Sequence, residues 1–166
     1  KQPTPVTVFM KGEKMLNHGI MMLHVLFGVL GILCAVALFM DVLNAGAKNY
    51  QRIKILSLTV AAFLVVSFLV GGYWYVTFYG AERDIIKAGA WPWAHNFFME
   101  VKEHIFFAML LLGLYLPIAV YKNTPLTSRK NKNLVLAICA MIILLGVFME
   151  GAGGIISKGV TIGLRG

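Results

Sequence analysis

The stretch NHGIMMLHVLFGVLGILCAVALFMDV (17–42) decides the class of this protein, because it is apolar over almost its whole length. A transmembrane helix needs about 20 mostly apolar residues to cross a hydrocarbon layer of about 30 Å. Three later stretches also meet this requirement, at about 55–79, 97–121 and 134–156. The sequence therefore predicts four membrane spans.

The composition agrees with a membrane protein. Hydrophobic residues make up 59% of the chain, charged residues 13%, and the mean hydropathy is +0.79. A soluble domain has about 45–50% apolar and about 25% charged residues. These values exclude a soluble enzyme, a disordered tail and a secreted disulfide scaffold. The predicted fold is all-α: a polytopic membrane protein with one membrane domain (1–166), built as an up-down bundle of four transmembrane helices.

The charge pattern predicts the orientation. A net charge of +8 would suggest nucleic acid in a soluble protein, but here the basic residues fall between apolar runs. Basic loops stay in the cytoplasm, so the lipid bilayer is the expected partner and no nucleic acid is expected. We expect both termini and the second loop outside a bacterial or archaeal inner membrane. The first and third loops, predicted as cytoplasmic, hold Lys48, Arg52, Lys54, Lys122, Arg129, Lys130 and Lys132.

Titratable side chains inside spans are costly, and each one is a candidate functional residue. With a rise of 1.5 Å per residue, His24, His104 and Glu150 each lie about 10 Å below the predicted outer boundary. Three spans thus bring such groups to a similar level, which predicts a site in the outer half of the bundle. The full set within the spans is His24, Glu100, Lys102, Glu103, His104 and Glu150.

Helical phase refines the predicted site. Gly28 and Gly31 share the His24 face, where small residues admit a neighbouring helix or a flat cofactor. Glu100 lies four residues before His104 and therefore on the same side of its helix. Lys102 is expected on the opposite side, with its ammonium reaching outward along the helix.

The leading hypothesis is a haem b site. Spans one and three run in the same direction and are expected on the diagonal of the bundle, so His24 and His104 could ligate one haem from opposite sides. Gly28 and Gly31 would make room for the ring, while Glu100 and Glu150 would carry protons in quinol chemistry. The predicted function is an electron-transfer subunit between a quinone pool and an outer-face redox partner, rather than a stand-alone enzyme.

Several alternatives remain open. One copper, iron or zinc ion could be bound by His24, Glu100, His104 and Glu150. The same groups could form a proton or ion pathway without a cofactor. The chain could also be an accessory subunit of a larger membrane complex, in which Glu150–His104 or Glu100–His24 contacts satisfy both partners.

The second loop, GAERDIIKAGAWPWAHN (80–96), is the longest predicted connection. Its tryptophans suggest an aromatic belt at the headgroups, or a cap over a site with a docking face for a partner. His18 and His95 lie at the span edges. We expect them to be exposed at the interface, with a second haem between them as the alternative.

The residue pattern resembles a known kind of membrane module. The resembling features are the histidine of LHVLFGVLG (23–31), Arg52, the Gly71-Gly72 end of span two, and Lys102 at the start of span three. Together they resemble the small four-helix modules of the copper-resistance-D and cytochrome b561-like kind, over most of the chain but through diffuse features. The resemblance implies a redox or copper-related membrane role.

This chain departs from those modules at two places. It has Glu100, Glu103 and Glu150 near the histidines, and it has the WPWAHN segment (91–96). These departures leave the ligand set open.

Overall fold

Four long helices form the protein in a computed structural model, which describes residues 5–122 and 128–165, and side chains from residue 15 onward. The helices are α1 (Pro5–Leu43), α2 (Tyr50–Ala88), α3 (Glu100–Lys122) and α4 (Arg129–Gly163). Within these ranges there is no strand, and each helix is long and apolar enough to cross a membrane. The predicted all-α fold with four spans is confirmed. The segment 123–127 of the third loop lies outside the described residues.

The second loop is shorter than predicted. The sequence places residues 80–96 in a loop, whereas α2 continues to Ala88 and leaves only 89–93 without helix. Residues 81–88 include Ala, Glu, Arg and Lys, which favour helix, and α2 ends at Gly89. The backbone N–H of Gly89 donates to the carbonyls of Ile85 and Ile86, which closes the helix. The prediction of a long loop is therefore wrong.

A π-helical turn, Ala94–Met99, leads directly into α3. Such turns insert an extra residue into a helix, are rare overall and often occur at functional sites. His95, which was expected before the helix, lies in this turn. The turn packs against α2, α3 and α4.

The packing order of the helices sets the geometry of any site. α1 packs against α2 and α4, and α3 also packs against α2 and α4. Within the described residues α1 and α3 make no contact, which confirms their predicted diagonal placement. α2 and α4 meet across the middle of the bundle and separate the other two helices.

We name the two halves of the bundle after the predicted orientation. The inner half lies toward the 44–49 turn, the outer half toward the 89–93 loop, and Leu64 marks the boundary. Leu64 packs where Gly31 and Gly113 leave space on α1 and α3. The inner half is filled by a large apolar cluster whose fully buried members include Leu38, Ile53, Leu116, Val135 and Ile142.

Candidate functional site

Four side chains, one from each helix, converge in the outer half of the bundle. They are His24 on α1, Ser67 on α2, Lys102 on α3 and Glu150 on α4. We call this group the intramembrane cluster. The cluster brings an imidazole, a hydroxyl, an ammonium and a carboxylate together within the membrane spans.

His24 is fixed against α2. Its Nδ1 lies 2.8 Å from the main-chain oxygen of Ser67. Since a carbonyl only accepts, Nδ1 carries the donated proton. The hydroxyl of Ser67 lies 3.1 Å from the same nitrogen and donates to the main-chain oxygen of His24 at 3.2 Å. Gly71 lets the ring lie directly on the α2 backbone, because a Cβ there would collide with the imidazole.

Glu150 reaches α1 at Gly28. A Cβ added at Gly28 would lie 2.9 Å from Oε1 of Glu150 and 3.6 Å from Oγ of Ser67. A Cβ added at Gly31 would lie 3.4 Å from Leu64. The two glycines that were predicted to make room for a haem therefore border side chains of α4 and α2. Small residues in membrane helices commonly permit this close approach.

Lys102 lies inside the bundle, contrary to the sequence prediction. It is half-buried, and its Nζ lies 3.2 Å from the position that a Cβ of Gly153 would take. The opposite charge that acts on it is that of Glu150, although the two groups are not in direct contact. An ammonium is costly in hydrocarbon, and Gly153 provides space for it beside a carboxylate. The expectation that Lys102 reaches outward is wrong.

His104 and Glu100 occupy the opposite, exposed face of α3. The Nδ1 of His104 donates to the main-chain oxygen of Glu100 at 2.7 Å. The structure therefore does not bring His104 to His24 or Glu150, because its side chain lies on the exposed face of α3 rather than between the helices. The alternative contacts Glu150–His104 and Glu100–His24 do not form either.

A second polar group, which we call the outer cluster, lies nearer to the 89–93 loop. The hydroxyl of Tyr79 lies 2.9 Å from Nδ1 of His95, and both side chains are buried. The hydroxyl of Tyr75 lies close to the carboxylate of Glu103, whose Oε1 is buried and has no hydrogen-bond partner within the described ranges. The prediction of an exposed His95 is wrong, while His18 is exposed as predicted.

Sequence reasoning missed the outer cluster and the Ser67–His24 contact. Ser67, Gly71 and Tyr75 recur every four residues on α2, which places them on one side of that helix. This spacing is a usable signal for a polar row. Nothing in the sequence indicates that Tyr79 meets His95, because that contact depends on the π-helical turn.

The structure separates the predicted metal ligands. His24 and Glu150 lie inside the bundle, whereas Glu100 and His104 lie on the exposed face of α3. Among the residues that the structure describes, no three His, Cys, Asp or Glu side chains are grouped to hold a metal ion. The two imidazoles do not flank one site within a single bundle. The haem and the metal ion both stay predictions.

Comparison with protein-family models, curated proteins and solved structures gave no significant match to this chain. Its function is therefore argued from the geometry of the two clusters.

Proposed function

We propose that this protein is a membrane subunit in which Glu150 takes up and releases a proton next to Lys102 and His24, in support of electron transfer. One observation carries the proposal. The ammonium of Lys102 on α3 and the carboxylate of Glu150 on α4 lie inside the bundle and act on each other electrostatically without forming an ion pair. Glu, Lys and His within spans often form proton relays.

The chemistry follows from the charges of this pair. When Glu150 is ionised, its carboxylate is stabilised by the ammonium of Lys102; when it is protonated, Lys102 remains as a lone cation. Charges interact strongly in a medium of low dielectric constant. A nearby redox group that gains an electron would therefore favour protonation of Glu150, and its oxidation would favour release of the proton.

His24 and Ser67 complete the proposed site. Because the Nδ1 proton of His24 is committed to the Ser67 main chain, Nε2 is the nitrogen that can gain and lose a proton. The Ser67 hydroxyl lies near both His24 and the Glu150 carboxylate at Gly28. Together these groups provide more than one position for a proton at the same level of the membrane.

The test is carboxyl labelling in lipid. A hydrophobic carbodiimide reacts with protonated carboxyl groups, so we expect Glu150 to be modified and the reaction to weaken as the pH rises. Mass spectrometry of the labelled peptides gives the readout, with Glu100 on the exposed face as the internal reference. Lys102→Met should shift the pH dependence at Glu150, whereas Lys102→Arg should preserve it. Labelling of Glu100 alone at every pH would contradict the proposal.

A haem b electron carrier is the second candidate function. His24 and His104 each donate Nδ1–H to a main-chain carbonyl, and neither Nε2 has a hydrogen-bond partner within the described residues. Histidines that ligate metals typically hold their other nitrogen in this way. Each could ligate haem b with a second axial ligand from another subunit, and electrons would pass between quinone and an outer-face redox protein.

The absorption spectrum of purified protein tests the haem proposal. We expect a Soret band that His24→Ala or His104→Ala removes or alters and that His18→Ala leaves unchanged. Gly28→Leu should also disturb a haem at His24. Protein from haem-supplied cells without a Soret band would contradict this candidate, and elemental analysis would then detect copper, iron or zinc.

The orientation and the neighbours of the bundle belong to the same proposal. The basic residues of the first and third loops support a cytoplasmic position for those loops, with the N and C termini outside an inner membrane. Glu100 and His104 on an exposed face favour contact with another subunit, because hydrocarbon does not solvate them. Labelling of an Arg129→Cys protein from outside intact cells would contradict this orientation.

A further inference from the structure

α2 carries a row of polar side chains that the proposed site uses only in part. Ser67 contacts His24, Tyr75 lies close to Glu103, and Tyr79 bonds to His95. Ser67 to Tyr79 spans 12 residues, or about 18 Å of helix. That length is more than half of a hydrocarbon layer of about 30 Å. The row therefore leads from the intramembrane cluster toward the 89–93 loop.

The outer end of the row is a buried tyrosine–histidine pair. Tyr79 is 2% and His95 5% exposed, and their polar atoms are 2.9 Å apart. The rings of Tyr75 and Tyr79 stack with their centroids 5.2 Å apart and an interplanar angle of 22°. Stacking holds the two phenol groups side by side, and the hydrogen bond connects the outer one to an imidazole.

Glu103 is an unusual neighbour for this pair. Its Oε1 is buried and lacks a donor within the described part of the chain. Buried polar atoms are almost always hydrogen-bonded, so an unpartnered one is an open position for a donor such as water. Glu103 therefore places an unused carboxylate oxygen beside the Tyr75 hydroxyl.

The charges around the outer cluster come mainly from α2 and α3. Arg83, Lys87 and Glu82 of α2 and Glu100 of α3 act on Tyr79 or His95. α4 contributes the apolar Ile156, Ile155 and Val160 to the cluster that contains Tyr79. In the other direction, the inner half below Ser67 is filled with apolar side chains. The polar side chains of the row therefore lie on the outer side of the intramembrane cluster and not on its inner side.

We propose that Glu103, Tyr75, Tyr79 and His95 form a proton relay between the intramembrane cluster and the 89–93 loop. In the outward step, the Tyr79 O–H bond breaks as its proton forms an N–H bond at Nδ1 of His95. The imidazolium releases its Nε2 proton to water at the loop and is left protonated at Nδ1. Glu103 gives a proton through the Tyr75 hydroxyl and a water molecule to restore the Tyr79 O–H bond, and it regains a proton from the side of the intramembrane cluster. One proton thus enters at Glu103 and one leaves at His95, and no group is oxidised or reduced.

Proton exchange at Glu150 gives the first test, which rests on the proposed function. After a switch to heavy water, the carboxyl infrared band of Glu150, assigned with Glu150→Gln, reports its exchange in lipid. Tyr79→Phe should slow this exchange by about 100-fold, the lower range of what a positioned proton carrier contributes. Tyr73→Phe is the matched control, because Tyr73 lies on the same helix and is 55% exposed. Equal rates in both variants would overturn the relay and leave the proposed function intact.

Nitrogen NMR of His95 gives a second test that does not depend on Glu150. We expect the ring nitrogens of His95 to respond to the protonation of Glu103, and this response should disappear in Glu103→Gln and in Tyr79→Phe. Tyr75→Phe is the substitute variant if Tyr79→Phe does not fold. An unchanged response in all variants would overturn the relay. A Glu150 that never exchanges, with the His95 response present, would overturn only the proposed function.

Discussion

The inner and outer halves of the bundle are built on different principles. In the inner half, buried side chains such as Leu38, Leu116 and Ile142 are apolar, and the hydroxyl of Ser57 is satisfied within its own helix by Lys54 O at 2.7 Å. In the outer half, titratable side chains lie between the helices. Lipid offers no hydrophobic driving force between helices, so association depends on close packing. The comparison indicates that apolar packing alone fills most of the inner half, whereas the outer half also accommodates polar and titratable groups between its helices.

The largest effect should come from the boundary between the halves. Leu64 is fully buried between Gly31 and Gly113, so Leu64→Ala removes packing on three helices. We expect a loss of about 2–5 kcal/mol in the free energy of unfolding, as for other large-to-small changes in cores. Reversible denaturation in mixed detergent measures it. Leu58→Ala on the lipid-facing side of α2 is the control, and an equal loss there would contradict the comparison.

The next effect concerns the charges of the outer half. Lys102→Met and Glu150→Gln should each lower the free energy of unfolding. Each substitution removes one charge and leaves the opposite charge of the partner without compensation. Combining them should cost less than the sum of the two, with a coupling of about 0.5–3 kcal/mol for interacting neighbours. A double-mutant cycle gives this number. Additive effects would show that the two groups act independently.

A smaller effect is expected for hydroxyl removal. Ser67→Ala deletes the bond from Oγ to the main-chain oxygen of His24 but keeps the main-chain acceptor of Nδ1. We expect a loss of about 0.5–1.5 kcal/mol, the usual net value of one hydrogen bond. Ser57→Ala is the matched control in the inner half, because its hydroxyl only bonds to its own helix. If both substitutions lower the free energy of unfolding equally, the Ser67 hydroxyl does not stabilise the contact between α2 and α1.

The smallest effect should occur at an exposed ion pair near the outer end of α2. Arg83 pairs with Asp84, and their side chains are 45% and 70% exposed. Exposed ion pairs contribute little and are weakened by salt. Arg83→Gln should therefore change the free energy of unfolding less than any variant above, and raising the salt concentration should remove the remaining difference. A large loss that is insensitive to salt would contradict this expectation.

The fold was largely predictable from the sequence, but the rotation of α3 was not. Hydropathy and length predicted the four spans, and Gly28 correctly predicted a close approach to α1. The relative phase on α3 was also correct, with Glu100 beside His104 and Lys102 on another side. The error was to take His104 as the inward residue. Because α3 has titratable groups on several faces, helical phase alone does not show which face packs inward.

One wrong reference residue had several consequences. Placing His104 inward directed Lys102 outward, left the buried Oε1 of Glu103 unrecognised and paired His24 with a residue that the structure leaves on the exposed face of α3. The packing of α3 against α4 decides how α3 is rotated about its axis, because Gly153 of α4 provides the space that Lys102 occupies. His95 was missed for a different reason. The π-helical turn rotates it relative to α3, and no residue type in AHNFFM (94–99) specifies such a turn.

The π-helical turn makes the Tyr79–His95 bond sensitive to chain length rather than to residue type. A π-helical turn holds one residue more than an α-helical turn. Deletion of one residue between 96 and 98 would restore regular geometry and rotate everything before it by about 100° relative to α3. His95 would then leave Tyr79, while the spans and every other residue of the row on α2 would stay in register. In a lineage of such proteins, a single-codon insertion or deletion at this point would make or break the Tyr79–His95 hydrogen bond in one step.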